Sequence, residues 1–367
     1  MPADPVVLGA RRERAAAACS ALGIAAIVIG PGSDLSYLTG YRIAASERLT
    51  CLVLTSSGEA RLVVPALEAP RARGAVSGID LVEWHETDDP CKLAASCVGA
   101  RGDVAIGDQL WATFVVRLQA ALGDRTPLLA STVTSPLRMR KDAQELGALR
   151  AAAGAADRAY ARVIALPFAG RRERDVGEDL ARLMKEEGHE AVAFTIVAAG
   201  PNGASPHHEA GDRPLGSGDA VVLDFGGTLE GYCSAITRTV VVGQPTAEVT
   251  RVHDLVRRAQ EAAYAAAGEG VAAESVDAAA LDVIRDAGYG DRFIHRLGHG
   301  IGLDGHEHPY LVSGNRQPLE AGMAFSIEPG VYLPGLFGVR IEDIAALGSD
   351  GRPVALNKAD RALAIVR

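Results

Sequence analysis

Apolar runs and polar breaks in the first third of the chain predict an α/β unit over residues 1–135. Helical spacing over 8–22 leads into the apolar run IAAIVIG, which predicts a strand over 24–29, and PGSDLSYLTGY then predicts a turn. The runs LTCLVLT and ARLVVP flank the polar triplet SSG and predict a β-hairpin. A further strand is predicted over 102–106 and a helix over 110–122.

The pattern changes near Ser135 and Pro136, which predicts a second domain over 136–367. The Ala-rich stretch from Met139 is dense in strong helix formers and predicts one long helix. The elements predicted after it are helix 173–187, strands 191–198, 219–226 and 232–242, helices 246–267 and 274–287, and strands near 321–332 and 338–347. Because these helices and strands do not alternate strictly, the pattern favours an α+β domain.

Composition narrows the class of protein. A chain of 367 residues that is 48% hydrophobic is long enough for two domains with real cores. The net charge of −9 argues against a nucleic-acid surface or an anionic membrane, because both select clustered Lys and Arg. Five cysteines form no CxxC pair and no disulfide-scaffold density, which favours a reducing cytoplasm.

The N-terminal segment resembles an export signal only loosely. The basic run RRER at 11–14 precedes an apolar run from Ala15 to Gly30. Gly23 interrupts that run, which is also shorter than the roughly 20 residues that span a bilayer. An amphipathic helix ending near Gly23, followed by a strand, accounts better for the pattern, and a cytoplasmic location is expected.

Four of the nine histidines lie in or next to the segment RFIHRLGHGIGLDGHE at 292–307. They are His295, His299 and His306 within it and His308 just after it. The glycines between them are predicted to let the backbone pass close to a small group. Histidines among glycines make a poor apolar core, so the segment favours a metal or catalytic site. His85, His189 and His253 are interpreted as plain surface or helix residues.

Three carboxylates lie on predicted strands: Asp224 in VVLDFGGTLEGY, Glu328 in AFSIEPGVY and Glu342 in GVRIEDI. Because side chains alternate between the faces of a strand, each carboxylate points away from the apolar neighbours that would face the core. Ordinary surface carboxylates would also lie there, but the flanking residues are too apolar for a solvated face. Carboxylates near a buried interior need a partner such as a cation, so the pattern favours a binding site.

One imidazole with several carboxylates is a donor set for a hard or borderline cation. It favours Mn²⁺ or Co²⁺ over structural Zn²⁺, which prefers Cys and His, although Zn²⁺ stays an alternative. Several carboxylates can hold two cations about 3.5–4 Å apart, which activates water and polarises a carbonyl. The remaining histidines would then handle protons and an oxyanion.

The segments resemble the pita-bread metallopeptidase family, which contains Xaa-Pro dipeptidase (prolidase), aminopeptidase P and the metal-free creatinase. The matching motifs are PHH at 206–208, DFGG and GY within 224–232, HRLGHGIGL at 295–303, SIEPG at 326–330 and RIED at 340–343. The resemblance covers nearly the whole chain. It implies a creatinase-type N-terminal domain, a pita-bread catalytic domain and a homodimer.

The resemblance also implies roles for individual residues. The implied metal ligands are Asp224, His299, Glu328 and Glu342, with Glu342 bridging two ions. The implied substrate and intermediate contacts are His207, His295 and His306, with Arg340 beside the bridging glutamate. Glu328 would also accept the proton of the attacking water. Tyr310 either lines the substrate pocket or only packs there.

One position departs from the family pattern GYxSDxTRT: Ala235 stands where the second bridging aspartate is expected. Alanine cannot bind metal, so metal occupancy and activity are expected to fall. Three explanations stay open: an engineered inactive variant, a natural member with one metal or none, and a binding protein without catalysis. A single Asp→Ala change on a functional enzyme is favoured, because the other matching ligands and histidines are all present.

The implied activity is metal-dependent hydrolysis of the Xaa-Pro bond in dipeptides or short peptides, with dipeptides favoured. Two alternatives are kept: a metal-free, creatinase-type C–N hydrolase and a non-catalytic, peptide-binding member of the fold.

Overall fold

A computed structural model describes residues 4–99 and 102–367 and divides the chain into two compact units between Arg138 and Met139. The sequence pattern places the domain boundary slightly earlier, at Ser135 and Pro136. Pro136 lies inside a helix that runs Ser131–Met139. The change of unit therefore falls at the end of a helix, where the sequence suggests only a break.

The first unit is a mixed sheet with helices. Its helices are α1 (Pro5–Ala21), α2 (Ser33–Thr39), α3 (Ala69–Ala75), α4 (Pro90–Ser96), α5 (Ala112–Leu122) and α6 (Ser131–Met139). Its strands are β1 (Ile24–Ile29), β2 (Cys51–Thr55), β3 (Ala60–Pro65), β4 (Asp80–Trp84), β5 (Asp103–Ile106) and β6 (Pro127–Leu129). The strand order is β4-β3-β2-β1-β5-β6, and the predicted hairpin is the antiparallel pair β2–β3.

The segment predicted as a turn after β1 contains the short helix α2. Leu35 and Leu38 are buried one helical turn apart, and Asp34 lies in the first turn, where an acidic side chain favours the helix dipole. Gly40 ends the helix in the left-handed conformation at φ 73°, a common helix terminator. The prediction of a plain turn was therefore wrong.

Two arginines of the basic run near the N-terminus, Arg11 and Arg12, are buried in the first unit. Helix α1 begins after Asp4, whose side chain accepts a hydrogen bond from the backbone N–H of Val6. Arg12 is buried and donates to the carbonyls of Leu38 and Ser77 at 2.9 and 3.0 Å. Among the described residues, no helix combines the length and the apolarity needed to cross a bilayer.

The second unit contains four longer helices and several small sheets within the described residues. The helices are α7 (Ala143–Val163), α8 (Glu173–Glu186), α9 (Ala247–Ala266) and α10 (Ala273–Asp286). The strands are β7 (Ala191–Ala199), β8 (Ala220–Leu229), β9 (Tyr232–Val242), β10 (Gly298–Gly300), β11 (Glu307–Leu311), β12 (Ala324–Ile327), β13 (Gly330–Leu333), β14 (Phe337–Arg340), β15 (Asp343–Leu347), β16 (Pro353–Ala355) and β17 (Ala364–Val366).

These strands form three sheets. One has the order β17-β9-β8-β7, another β11-β10-β12-β15-β16, and the third is the hairpin β13–β14. Apart from the parallel pair β9–β17, the pairings within these sheets are antiparallel. One apolar core packs α7 and α8 against β7, β8 and β9, and another packs α9 and α10 against the strands that follow them. Grouped helices and antiparallel sheets confirm the α+β expectation for this domain.

The two strands predicted near 321–332 and 338–347 are each broken into a pair. The first break holds Glu328 and Pro329, between β12 and β13, and the second holds Ile341 and Glu342, between β14 and β15. Proline has no N–H to donate to a ladder, which accounts for the first break. At the second, Glu342 forms an isolated bridge with Thr237 of β9. Both predicted acidic residues therefore lie where a strand is interrupted.

Candidate metal centre

Asp224 lies in the middle of β8, and its cross-strand partner on β9 is Thr237. Residues directly opposite each other in an antiparallel pair project from the same face of the sheet. Val221, Leu223 and Phe225 belong to the apolar core on the other face. Asp224 is nevertheless only 8% exposed, so its carboxylate lies on a covered face and needs partners.

His299 occupies the centre of the three-residue strand β10. A Cβ on Gly298 would collide with the carbonyl of Ser326, and one on Gly300 with the carbonyl of His308. These glycines therefore permit close packing of neighbouring strands, whereas the sequence interpretation gave them the task of approaching a small group. The ring Nδ1 lies 3.0 Å from the carbonyl of Gly300, and a carbonyl only accepts, so Nδ1 carries the proton.

The other nitrogen of His299, Nε2, is then an acceptor and lies 3.2 Å from Oε1 of Glu328. The same Oε1 also accepts a hydrogen bond from the hydroxyl of Ser326 at 3.0 Å. Burial raises the pKa of Glu328, but a proton held on Nε2 of His299 would outweigh burial through its hydrogen bond and charge and lower that pKa to about 2. Two acceptors this close need a proton or a cation between them.

Glu342 is 3% exposed, and its Oε2 accepts a hydrogen bond from the hydroxyl of Thr237 at 2.8 Å. Burial raises the pKa of Glu342 well above its usual value, and the charges of Glu328 and Asp224 add to that rise. Thr237 and Arg340 oppose the rise only in part. The negative charge of this cluster thus exceeds what its protein partners neutralise.

Donor atoms of His299, Glu328 and Glu342 all lie within 4.8 Å of one another. This is the only group of three or more such donors among residues 4–99 and 102–367. Nearby, Oδ1 of Asp224 is buried without a hydrogen-bond partner in the described part of the chain. Facing acceptors, an orphaned carboxylate oxygen and an imidazole whose other nitrogen is fixed by a carbonyl are the features of a metal site. The residues present therefore fit a divalent cation.

A line of hydrogen bonds extends from the cluster through the buried Arg340 and Tyr332 to the half-buried His295. Arg340 donates from Nη2 to Oδ2 of Asp224 at 2.5 Å and from Nη1 to the hydroxyl of Tyr332 at 2.7 Å. Tyr332 in turn meets Nε2 of His295 at 2.8 Å, and Nδ1 of His295 donates to the carbonyl of Arg296 at 2.8 Å. Both ring nitrogens of His295 are therefore engaged within the protein, and burial lowers the pKa of its imidazole.

The remaining predicted residues lie around the cluster and differ in how far they are buried. The ring of His306 lies 3.8 Å from that of His299, and partial burial together with His299 and Arg296 lowers the pKa of His306 to about 4. Tyr310 is the cross-strand partner of His299, and its ring lies under the guanidinium of Arg296 at 4.3 Å. His207 is exposed on the loop after β7, beside an open cavity of about 400 Å³.

Ala235 lies on β9 opposite Gly226, so it shares the sheet face of Asp224 and Thr237. It is 5% exposed and belongs to an apolar cluster. The buried members of that cluster are Leu149, Ala153, Ile301, Ala324, Ile344, Ala346 and Leu356. The position expected to supply a bridging carboxylate is thus surrounded by apolar side chains.

Three residues of the site have no counterpart among the sequence predictions: Thr237, Tyr332 and Glu173. Thr237 and Tyr332 lie next to predicted motifs, in TRT and after SIEPG, but their partners are about 100 residues away or across a hairpin. Glu173 is fully buried and accepts from the backbone of Ala199 at 2.8 Å and from His208 at 2.9 Å. It thereby ties down the loop that carries His207, a role that no local pattern indicates.

Two histidines outside the cluster are buried: His253 lies on a helix, as its interpretation allowed, whereas His189 is neither a surface nor a helix residue. His189 is 4% exposed and bonds to the carbonyl of Met184 and the hydroxyl of Ser234. His253 is 2% exposed on α9. Both positions therefore belong to the packed interior.

Known families match both units. The profile of metallopeptidase family M24 matches residues 147–348, and that of the creatinase/prolidase N-terminal domain matches residues 11–140. The chain belongs to metallopeptidase family M24. It is 46% identical to the probable dipeptidase PepE of Mycobacterium tuberculosis, over 99% of this chain and 98% of that protein. It is 35% identical to the Xaa-Pro dipeptidase of Lactobacillus helveticus, over 86% of this chain and 88% of that protein.

Solved structures of the family agree with the fold. Dipeptidase PepE from Mycobacterium ulcerans superposes with a TM-score of 0.95 at 46% identity, covering 100% of both chains. A recombinant prolidase from Thermococcus sibiricus gives a TM-score of 0.91 at 38% identity, covering 97% of this chain and 98% of that one. The expected pita-bread fold of the M24 unit, with a creatinase-type unit before it, is confirmed.

Proposed function

We propose that this M24 metallopeptidase hydrolyses the bond between an N-terminal residue and proline, in dipeptides before longer peptides. The observation that carries the proposal is the convergence of His299, Glu328 and Glu342, which all lie within the family match at residues 147–348. Relatives named dipeptidase and Xaa-Pro dipeptidase cover most of the chain at 46% and 35% identity, which supports the substrate class.

The chemistry of proline accounts for a dedicated site. The bond before proline is a tertiary amide without an N–H and with restricted conformations. A peptidase that holds its substrate through the N–H of that bond therefore loses a contact. A small cleft that holds the substrate by its carbonyl and its charged ends avoids this dependence.

The donor set favours Mn²⁺, with Co²⁺ or Zn²⁺ as alternatives, because carboxylates outnumber imidazole. A divalent cation held by His299, Glu328 and Glu342 would polarise the scissile carbonyl and favour deprotonation of an attacking water. Asp224 and Glu342 are the residues that remain for a second ion. The absence of a carboxylate at Ala235 weakens that second position and reduces activity.

The surrounding residues have distinct proposed tasks. Glu328 accepts the proton of the attacking water, because its carboxylate is one of the donors that converge at the cation position and a carboxylate beside a bound water is a suitable general base. His306 and His207 contact the substrate and the developing oxyanion, and Tyr310 and Arg340 line the substrate position. His295, whose two nitrogens are engaged, acts by fixing Tyr332 and through it Arg340.

The test is hydrolysis of Ala-Pro and Met-Pro against Ala-Ala and Met-Ala with added Mn²⁺, and against the tripeptide Ala-Pro-Gly. Cleavage confined to proline substrates, and faster for dipeptides, supports the proposal. Cleavage of the non-proline dipeptides at equal rates would refute the substrate class. Binding of proline peptides with no hydrolysis, in this chain and in its Ala235→Asp variant, would favour the peptide-binding alternative. Light scattering on the same samples tests the expected homodimer.

A further inference from the structure

One oxygen of Asp224, Oδ2, already pairs with a protein cation, while its Oδ1 is without a hydrogen-bond partner in the described part of the chain. Arg340 is 3% exposed, and its Nη2 pairs with Oδ2 of Asp224 at 2.5 Å. Its other contacts are with Tyr332, with the hydroxyl of Thr237 at 3.3 Å and with the carbonyl of Pro206 at 3.2 Å. Held by four acceptors, this guanidinium neutralises the charge of Asp224 where it lies.

The sheet face beside Asp224 provides few ligands for a second cation. Position 235 shares the sheet face of Asp224, but Ala235 contributes a methyl group within an apolar cluster. Among the described residues, the group of three converging donors excludes Asp224 and consists of His299, Glu328 and Glu342. A second ion would therefore have only Asp224 and a share of Glu342 as protein ligands.

Charge balance points the same way. Asp224, Glu328 and Glu342 carry three negative charges when ionised, and Arg340 carries one positive charge. The buried cluster thus has an excess of two negative charges, which one divalent cation neutralises. A second divalent cation would leave two unbalanced positive charges in a buried site, which a protein interior strongly disfavours. An aspartate at position 235 would halve that excess.

We propose that this chain holds one stoichiometric divalent cation, at His299, Glu328 and Glu342, and that the Arg340 guanidinium supplies the positive charge that neutralises Asp224. The inference rests on the proposed metal-dependent function and specifies its centre. Asp224 then anchors Arg340. A site for one cation needs no carboxylate at position 235, which accounts for Ala235.

The test is to count and characterise bound Mn²⁺ without reference to turnover. Metal-depleted full-length protein is loaded with Mn²⁺, freed of excess ion and measured by elemental analysis, and its electron paramagnetic resonance spectrum is recorded. Ala235→Asp is the test variant, and Ala235→Asn, of the same size without the charge, is its matched control. We expect one Mn²⁺ per chain and an isolated-ion spectrum in the parent and in Ala235→Asn. In Ala235→Asp we expect a second ion and a spin-coupled spectrum.

Arg340→Gln tests the guanidinium itself. Its removal leaves Asp224 without a counter-charge and should raise the bound Mn²⁺ from one to two ions per chain at a concentration at which the parent holds one. An unchanged count of bound Mn²⁺ would refute the role of Arg340. Two spin-coupled Mn²⁺ in the parent chain would overturn the inference and leave the proposed function standing, even if both variants fail to fold. No bound Mn²⁺ in the parent chain would instead refute the metal-dependent function.

Discussion

Glu342 and Asp343 are neighbours in the chain and are both buried, yet their surroundings differ sharply. Asp343 is completely buried and accepts from Arg238 at 2.6 Å, from Arg361 at 2.5 Å and from the amide of Gln260 at 3.1 Å. Glu342 accepts a hydrogen bond from the hydroxyl of Thr237 and lies beside two other carboxylates. One carboxylate is neutralised by the protein, and the other is not.

This difference separates a carboxylate that completes the fold from one that awaits a ligand. Burying a charge is tolerated when opposite charges and hydrogen bonds satisfy it, as the two arginines do for Asp343. The raised pKa of Glu342 records the opposite situation, in which burial and like charges disfavour ionisation. Removing each carboxylate should therefore have opposite consequences for stability and for activity.

The largest effect is expected for Asp343→Asn. This change leaves the buried Arg238 and the half-buried Arg361 without their counter-charge, and breaking a buried pair costs about 3–5 kcal/mol. Urea denaturation should show the free energy of unfolding falling by that amount. Asp282→Asn, which removes an exposed pair with Arg285, is the matched control and should leave the midpoint nearly unchanged. Equal losses of unfolding free energy in the two variants would show that the ion pairs of Asp343 contribute no more to stability than an exposed pair.

Glu342→Gln should instead lower activity and leave the stability of the protein intact. Loss of a ligand shared within the cation site should lower kcat/KM for Xaa-Pro dipeptides by on the order of 10²–10³-fold, the range for removing one transition-state donor. Without added metal, the variant should unfold at the same urea concentration as the parent or a higher one, because a repelled charge is gone. A strongly destabilised variant with intact activity would refute the contrast between the two carboxylates.

The sequence could not distinguish these neighbours, because the pattern of GVRIEDI is the same for either role. Alternation correctly placed Val339 and Ile341 in the core. It could not show that the strand ends at Arg340, since that break depends on a bridge between Glu342 and Thr237 of a distant strand. Local apolar periodicity continues across the break, so only tertiary pairing reveals it.

The same limit applies to the rest of the site. The motif residues Asp224, His299, Glu328 and Arg340 were predicted and do lie together. Tyr332 was not, because a tyrosine in an apolar strand is typical of a core. Its hydroxyl acquires a function only through contacts with His295 and Arg340 from two other segments.

The contrast between buried groups that the protein neutralises and those that it does not extends to histidine. The pH dependence of stability at His253 tests it. Burial lowers the pKa of His253 to about 4, and the nearby charge of Asp254 opposes this only in part. The unfolded chain, with a His pKa near 6.5, binds the proton more readily. Stability is therefore complete above about pH 6.5 and falls as the pH drops towards 4, by about 3 kcal/mol in all.

The neutral variant His253→Gln should remove that pH dependence. Urea midpoints measured between pH 4 and pH 7 should diverge for the parent and the variant, with the parent losing more stability towards acid. His85, for comparison, is exposed on the first unit, and His85→Gln should reproduce the parent curve. Parallel curves for the parent and His253→Gln would show that His253 is not held neutral.

The smallest effect concerns the hydroxyl that joins the two sides of the cation site. Thr237 donates to Glu342 at 2.8 Å and accepts from Nε of Arg340 at 3.3 Å. Thr237→Val keeps the shape and removes both bonds, so the Kd for Mn²⁺ should rise by about 10–100-fold, as when partners of metal ligands are lost. Calorimetric titration of the metal-depleted protein measures this directly.

Thr239→Val is the matched control, since Thr239 lies on the same face of β9 and bonds only to the backbone of Arg340, at 3.0 and 3.1 Å. Both variants lose buried hydrogen bonds of a threonine hydroxyl, and their urea midpoints should fall by similar amounts. Only Thr237→Val should weaken Mn²⁺ binding. If the two variants weakened it equally, the effect would come from general loosening of β9, and the orientation of Glu342 by Thr237 would have no part in holding the cation.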